Sequence, residues 1–168
     1  MSTNNFSIRR AKANDLNKVM EVVKLCTQNL IKANIFQWND SYPNLNTFKE
    51  DVVKKNLYLL ISNDENIIGC VSITYLMNDF YKNINWITQN KNNIYVHRLA
   101  IHPSFQNQGY GKSIMKFIEK KAILEKCSSI RLDTFSINEK NNAFYKKIGF
   151  YKLGKIYFPD QSEFPFNC

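Results

Sequence analysis

At 168 residues, with 44% hydrophobic and 14% aromatic content, the chain is too apolar for disorder and long enough to bury roughly two-thirds of its unfolded surface as one domain, residues 1–168. No window approaches the roughly 18 to 20 apolar residues of a membrane span. A formal charge of +9 favours polyanions, but Lys112, Lys116, Lys120, Lys121 and Lys126 gather on one helix face as solvated charge, without the aromatic interleaving of an RNA-binding sheet, so a nucleic-acid partner is not expected.

Ser7 to Ala11 reads as a short strand. From Asp15 to about Ala33, Leu16, Val19, Met20, Val23, Cys26 and Leu30 recur at helical spacing. Ile35 to Pro43 is an aromatic loop carrying Trp38 and Tyr42, followed by a helix with Asn46 or Thr47 as its expected cap. Tyr58 to Ser62 and Ile67 to Leu76 form an antiparallel hairpin around the polar turn 63–66. Asn78 to Asn93 is an Asn-rich loop holding Trp86. Tyr95 to Ile101 is a central strand, Gly109 to about Glu125 a long helix, Ser129 to Phe135 a strand and Lys140 to Ile148 a last helix ended by Gly149. Tyr151 to Tyr157 returns to β character before Phe158-Pro159 breaks it. Strand–helix alternation after a hairpin implies a three-layer α/β fold, with a mixed sheet between helices.

The polar start Met1-Ser2-Thr3-Asn4-Asn5 has no signal-peptide pattern, so a cytoplasmic chain is expected. The cysteines, Cys26, Cys70, Cys127 and Cys168, form no Cys-x-x-Cys pair, and His97 and His102 match no ligand spacing. Reduced thiols and no metal site follow as expectations.

The densest chemistry lies between the central strand and the long helix. Gln106-Asn107-Gln108-Gly109-Tyr110-Gly111-Lys112-Ser113 places two glycines at a helix entry, where unpaired N–H groups and the positive end of the helix dipole favour an anion. A Walker loop needs a glycine where Gln106 stands, and a dinucleotide fingerprint needs one at Ile114. The remaining pattern, Gln-x-x-Gly-x-Gly, resembles the coenzyme A pyrophosphate loop of the GNAT N-acetyltransferase superfamily. Leu99-Ala100-Ile101-His102-Pro103 before it, and Asn138 with Tyr145, Lys147, Gly149 and Phe150 after it, resemble the flanking motifs. Phe6 to Ala11 and the helix after Asn14-Asp15 are similar to the family's opening.

This resemblance implies a central mixed sheet of six to seven strands with a splayed central strand pair. It implies an acyltransferase that moves an acetyl group from acetyl-coenzyme A, as co-substrate, to a primary amine by direct transfer in a ternary complex. Leu99, Ala100, Ile101 and Asn138 would hold the pantetheine arm, and the loop Gln106 to Ser113 the pyrophosphate. Tyr145 would be the general acid, since a phenol of pKa about 10 carries its proton at neutral pH. The strand glutamate of many members is missing, Tyr95 standing in its place. His97, two residues on and so on the same strand face as Tyr95 and Leu99, is the candidate base, with Glu50, Asp79 and Asp133 behind it. Trp38, Tyr42 and Trp86 are candidate walls of the acceptor pocket. The absent strand carboxylate also suits an acyl-coenzyme A-binding regulatory module without turnover. The acceptor and a homodimeric state stay open.

Overall fold

The computed structural model describes residues 6–168, so the polar start at 1–5, on which the expectation of no signal peptide rests, lies outside the described residues. Strands β1 (Phe6–Arg10), β2 (Leu57–Ser62), β3 (Ile67–Thr74), β4 (Asn93–Ile101) and β5 (Ser129–Leu132) form one mixed sheet in that order. The first four pair antiparallel, whereas β4 and β5 run parallel. A parallel pair needs a crossover, and α3 (Tyr110–Leu124) supplies it.

Both sheet faces are covered, which is why β2 and β3 are apolar at nearly every position rather than at alternate ones. Helices α1 (Leu16–Lys32) and α2 (Leu45–Val53) cover one face, burying Val19, Val23 and Phe48 against Leu57, Leu59 and Ile61. The opposite face packs Ile114, Met115 and Ile118 of α3 against Tyr58, Leu60, Ile94 and Val96, with Phe144 and Tyr145 of α4 (Glu139–Lys147) alongside. The cap of α2 is Asn44, whose side chain accepts from Thr47 N–H at 3.0 Å; the expected caps, Asn46 and Thr47, fall inside the first turn. Among the described residues no helix is long and apolar enough to cross a membrane.

The β content divides differently from the six- to seven-stranded sheet expected. Five strands form the main sheet, and β6 (Thr134–Phe135), β7 (Lys155–Ile156) and β8 (Phe166–Asn167) form a second in the order β6-β8-β7. The run Ser129 to Phe135 breaks at Asp133, whose carboxylate accepts a hydrogen bond from the Tyr81 hydroxyl. The run Tyr151 to Tyr157 is strand only at Lys155–Ile156, because Tyr151 and Lys152 are exposed and meet no partner strand. Its partner is β8, just after Pro165, which sits outside the strand and lends its carbonyl to Ser136 N–H at 3.0 Å.

One irregularity shapes everything around the centre. Ser72 faces His97 and Cys70 faces Ala100, so Arg98 and Leu99 together oppose Val71 in a β-bulge, and Arg98 adopts φ 51°. The bulge reverses the side-chain alternation. Ile94 and Val96 before it and Leu99 and Ile101 after it share the α3 face, while Tyr95 and Ala100 pack elsewhere. Leu99 therefore does not share a face with Tyr95 and His97, contrary to the expectation from a regular strand.

The strained Arg98 is held by Asp51 of α2, to which its guanidinium donates at 2.7–3.0 Å, and Asp51 also accepts from Ser72 Oγ at 2.6 Å. The side chains are 13% and 7% exposed, so removing one partner strands a buried charge. Asp51→Ala should cost about 3–5 kcal/mol, which calorimetry should register as a fall in Tm on the order of 10 °C for a chain of this size. A change under about 1 kcal/mol would show that the pair does not hold the bulge.

Candidate active site

The anion loop begins where β4 ends. Its side chains close the turn upon itself: Gln106 Nε2 donates to the Ile101 carbonyl and Gln108 Nε2 to that of Ser104, each at 3.0 Å. Asn107 at φ 63° and Gly109 at φ 87° are both left-handed, which turns successive amides toward the same concavity. Among the described residues no hydrogen bond takes the N–H groups from Asn107 to Lys112; Ser113, the next, already bonds the Gly109 carbonyl at 3.0 Å. The unpaired amides thus span 107–112, within the expected loop Gln106 to Ser113 but without its two end residues. Tyr110 packs inward against Phe6 and Phe105, while Lys112 is exposed beside the amides. Unpaired donors at the positive end of the α3 dipole, with Lys112 in the same turn, suit an anion such as a diphosphate.

The sheet opens beside the loop. β4 pairs with β5 only from Asn93↔Ser129 to Val96↔Leu132; beyond Asp133 the chain pairs β6 with β8 instead. His97 to Ile101 thus have no strand partner on that edge, and the expected splay is present. Leu99, Ala100 and Ile101 occupy this open stretch. The Ile101 carbonyl is taken by Gln106 and by the Cys26 thiol at 3.1 Å. Burial pushes the Cys26 thiol up to about 12, so it stays protonated and structural.

A cleft of about 740 Å³ fills the opening, lined by Trp38, Tyr42, Glu50, Asp51, His97, Arg98, Asp133, Asn141 and Tyr145, with Phe80 and Phe158 at its walls. Tyr145 is half-buried, its pKa raised by burial and by the negative charge of Asp133, and its hydroxyl finds no hydrogen-bond partner among the described residues. Its position is fixed by the end of α4. Gly149, at φ 98°, donates to the Lys146 carbonyl at 3.2 Å and Phe150 to that of Tyr145 at 3.0 Å, while the Phe150 ring packs edge-on against Tyr145 at 5.8 Å. This double closure needs a residue at ease with positive φ, as Gly149 is.

His97 lies in the cleft with its ring stacked on Tyr81 at 6.3 Å. Burial, helped by the Arg98 charge, lowers it to about 4, well below the ordinary value assumed from sequence. Asn138 caps α4, accepting from Asn141 N–H at 3.1 Å and donating to Gln37 at 3.3 Å. Asn141, not Asn138, is the residue of this turn lining the cleft. Trp38 and Tyr42 are in the cleft; Tyr42 is hydrogen-bonded by Arg98 at 3.2 Å. Trp86 is elsewhere. It stacks on Arg131 at 4.5 Å in a second, mostly apolar cavity of about 1080 Å³ beyond β5, which shares Tyr145 and Thr134 with the cleft. Glu50 pairs with Lys54 at 3.1 Å, and Asp79 with Lys82 at 2.8 Å on the exterior. Sequence reasoning missed Asp51, Arg98 and Tyr81, since their importance depends on a bulge that no local pattern announces. Among the described residues no group of His, Cys, Asp or Glu is placed to hold a metal.

The fold has clear relatives. Residues 17–150 match the family model described as Acetyltransferase (GNAT) family, and the chain belongs to that family. An N-acetyltransferase of Bacillus subtilis (strain 168), YesJ, itself uncharacterized, is 22% identical over 102 residues, which span 61% of this chain and 57% of that relative's length. A GNAT acetyltransferase structure from Streptococcus agalactiae superposes with a TM-score of 0.80 at 20% identity, covering 98% of this chain and 93% of that one. The PaiA N-acetyltransferase of Thermoplasma acidophilum, solved in complex with coenzyme A, superposes with a TM-score of 0.71 at 18% identity over 96% of each chain.

Proposed function

We propose that this chain acetylates a primary amine at the expense of acetyl-coenzyme A, by direct transfer in a ternary complex. The observation that carries this reading is the run of amides at 107–112, without partners among the described residues, beside a strand edge that β5 has released. The PaiA structure, similar in fold and containing coenzyme A, supports the ligand.

Acetyl-coenzyme A supplies the acetyl group already activated as a thioester. The amides of Asn107 to Lys112 would hold its diphosphate. The open backbone edge at Leu99 to Ile101 would orient the pantetheine arm, as an added strand is oriented. Tyr145, lining the cleft with a hydroxyl that has no partner among the described residues, would deliver a proton to the departing sulfur. Its pKa, raised by burial and by Asp133, keeps the phenol protonated at working pH, so it can donate to the sulfur as negative charge develops there. The buried thiols Cys26 and Cys70, both raised to about 12, are unsuited to covalent acyl transfer, which favours the direct route. Trp38, Tyr42 and His97 would wall the acceptor.

Acetyl-coenzyme A at 100 times its Kd should stabilise the protein by about 2.7 kcal/mol, raising Tm in a thermal-shift assay, and a panel of primary amines should then release free thiol. No shift would refute the loop assignment. A shift without thiol release for any amine would favour the regulatory acyl-coenzyme A-binding module.

A further inference from the structure

We propose that Asp133 takes the proton from the acceptor amine, with Tyr81 holding its carboxylate in position. The inference rests on the reading above, and it supplies the base that β4 lacks. Asp133 is the one residue between β5 and β6, at the point where the sheet lets go of β4, and its side chain lines the cleft together with His97 and Tyr145. The proposed acid and base thus line one cleft.

Charge accounting around the cleft singles it out. Glu50 is paired with Lys54, and Asp51 is engaged by Arg98 and Ser72. Asp133 has no ion-pair partner among the described residues, and the one side chain that hydrogen-bonds it is Tyr81, through Oδ2. An incoming ammonium therefore meets, in an aromatic-walled cleft, one carboxylate that no salt bridge engages among the described residues. Tyr81 is fully buried between Trp86, Tyr95 and His97, so its hydroxyl has little freedom to leave the carboxylate.

The proton bookkeeping closes. Asp133 accepts one proton from the ammonium, freeing the nitrogen lone pair to form the C–N bond as the C–S bond breaks and its electron pair goes to sulfur. Tyr145 protonates that sulfur and recovers a proton from the nitrogen. Asp133 returns its own proton to water through the cleft mouth, so ammonium and thioester yield amide, thiol and one proton.

The groups facing Asp133 titrate at other pH values. Tyr81, from the turn after β3, and Tyr145, from α4, keep their protons far above neutrality, and Cys168, at the end of β8, is raised to about 12. Arg98 of β4 stays charged, and His97 of β4 titrates near 4. Burial raises Asp133 to about 6, against the lowering effect of its Tyr81 hydrogen bond and of Arg98. An activity limb near pH 6 accordingly belongs to Asp133, with activity rising as the carboxylate ionises.

The test is kcat/KM against pH for the full chain, with acetyl-coenzyme A and an amine the wild type accepts. The wild type should climb through a limb near pH 6. Asp133→Asn should lose roughly 10²-fold or more and the limb with it, while binding acetyl-coenzyme A unchanged by calorimetry. Tyr81→Phe should move the limb to higher pH, because the charged form loses a donor, and His97→Gln should leave the limb where it is. Persistence of the limb in Asp133→Asn, or its disappearance in His97→Gln, overturns the assignment while acetyl transfer itself stands. A wild type that binds acetyl-coenzyme A and acetylates no amine overturns the acetyltransferase reading, and this one with it.

Discussion

Replacing Tyr145 by phenylalanine should lower turnover by roughly 10²-fold or more, on the usual scale of general acid contributions, with acetyl-coenzyme A affinity nearly unchanged. The substitution is unusually clean here. The Tyr145 hydroxyl has no partner among the described residues, so its loss leaves no buried group stranded, and the ring contacts with Phe144 and Phe150 survive in phenylalanine. Stability should therefore stay within about 0.5 kcal/mol of the wild type, which separates a chemical effect from a structural one. Single-turnover thiol release measures it, and turnover within threefold of the wild type would remove Tyr145 from the mechanism.

Gly109→Val should weaken acetyl-coenzyme A by roughly 10- to 100-fold, equivalent to about 1–3 kcal/mol of backbone strain, while leaving the rest of the fold in place. The reason is conformational. A side chain at Gly109 would meet nothing within 4 Å, so no clash drives the effect, but φ 87° is denied to a β-branched residue. The loop must relax away from the geometry that gathers its amides. Gly109→Asn, which tolerates a left-handed backbone, should keep most of the affinity. At Gly111 a side chain would merely touch the Phe144 ring at 3.5 Å, so Gly111→Ala should be mild. Calorimetric affinities of Gly109→Val and Gly109→Asn that match each other would show that the backbone angle is not what the ligand needs.

Where local pattern decides structure, the sequence was informative. Apolar spacing located α1 and α3 within a residue or two, because a helix against a sheet must present one stripe. The glycines and glutamines of the loop, and Gly149 after α4, were legible because backbone angles of that kind admit few residue types. The second sheet was not legible: β6, β7 and β8 are two residues each, too short for alternation to register, and β8 lies next to a proline. Nor was the acidic side of the cleft. Asp51 reads as an ordinary helix residue and Arg98 as an intruder in an apolar strand until the bulge brings them together, and Asp133, one of several candidate bases in the sequence, is singled out only once the sheet is seen to part beside it. Trp86 reads from its aromaticity as a wall of the acceptor pocket, whereas in the structure it stacks on Arg131 and lines the second cavity.

The extra residue at Arg98 and Leu99 has a consequence for how this chain can vary. Deleting either position would restore a regular two-residue repeat and turn Ala100, Ile101 and the loop's point of departure through half a revolution. Length in this short stretch is therefore a harder constraint than chemical identity, because one residue more or less would re-aim the strand end from which the loop departs.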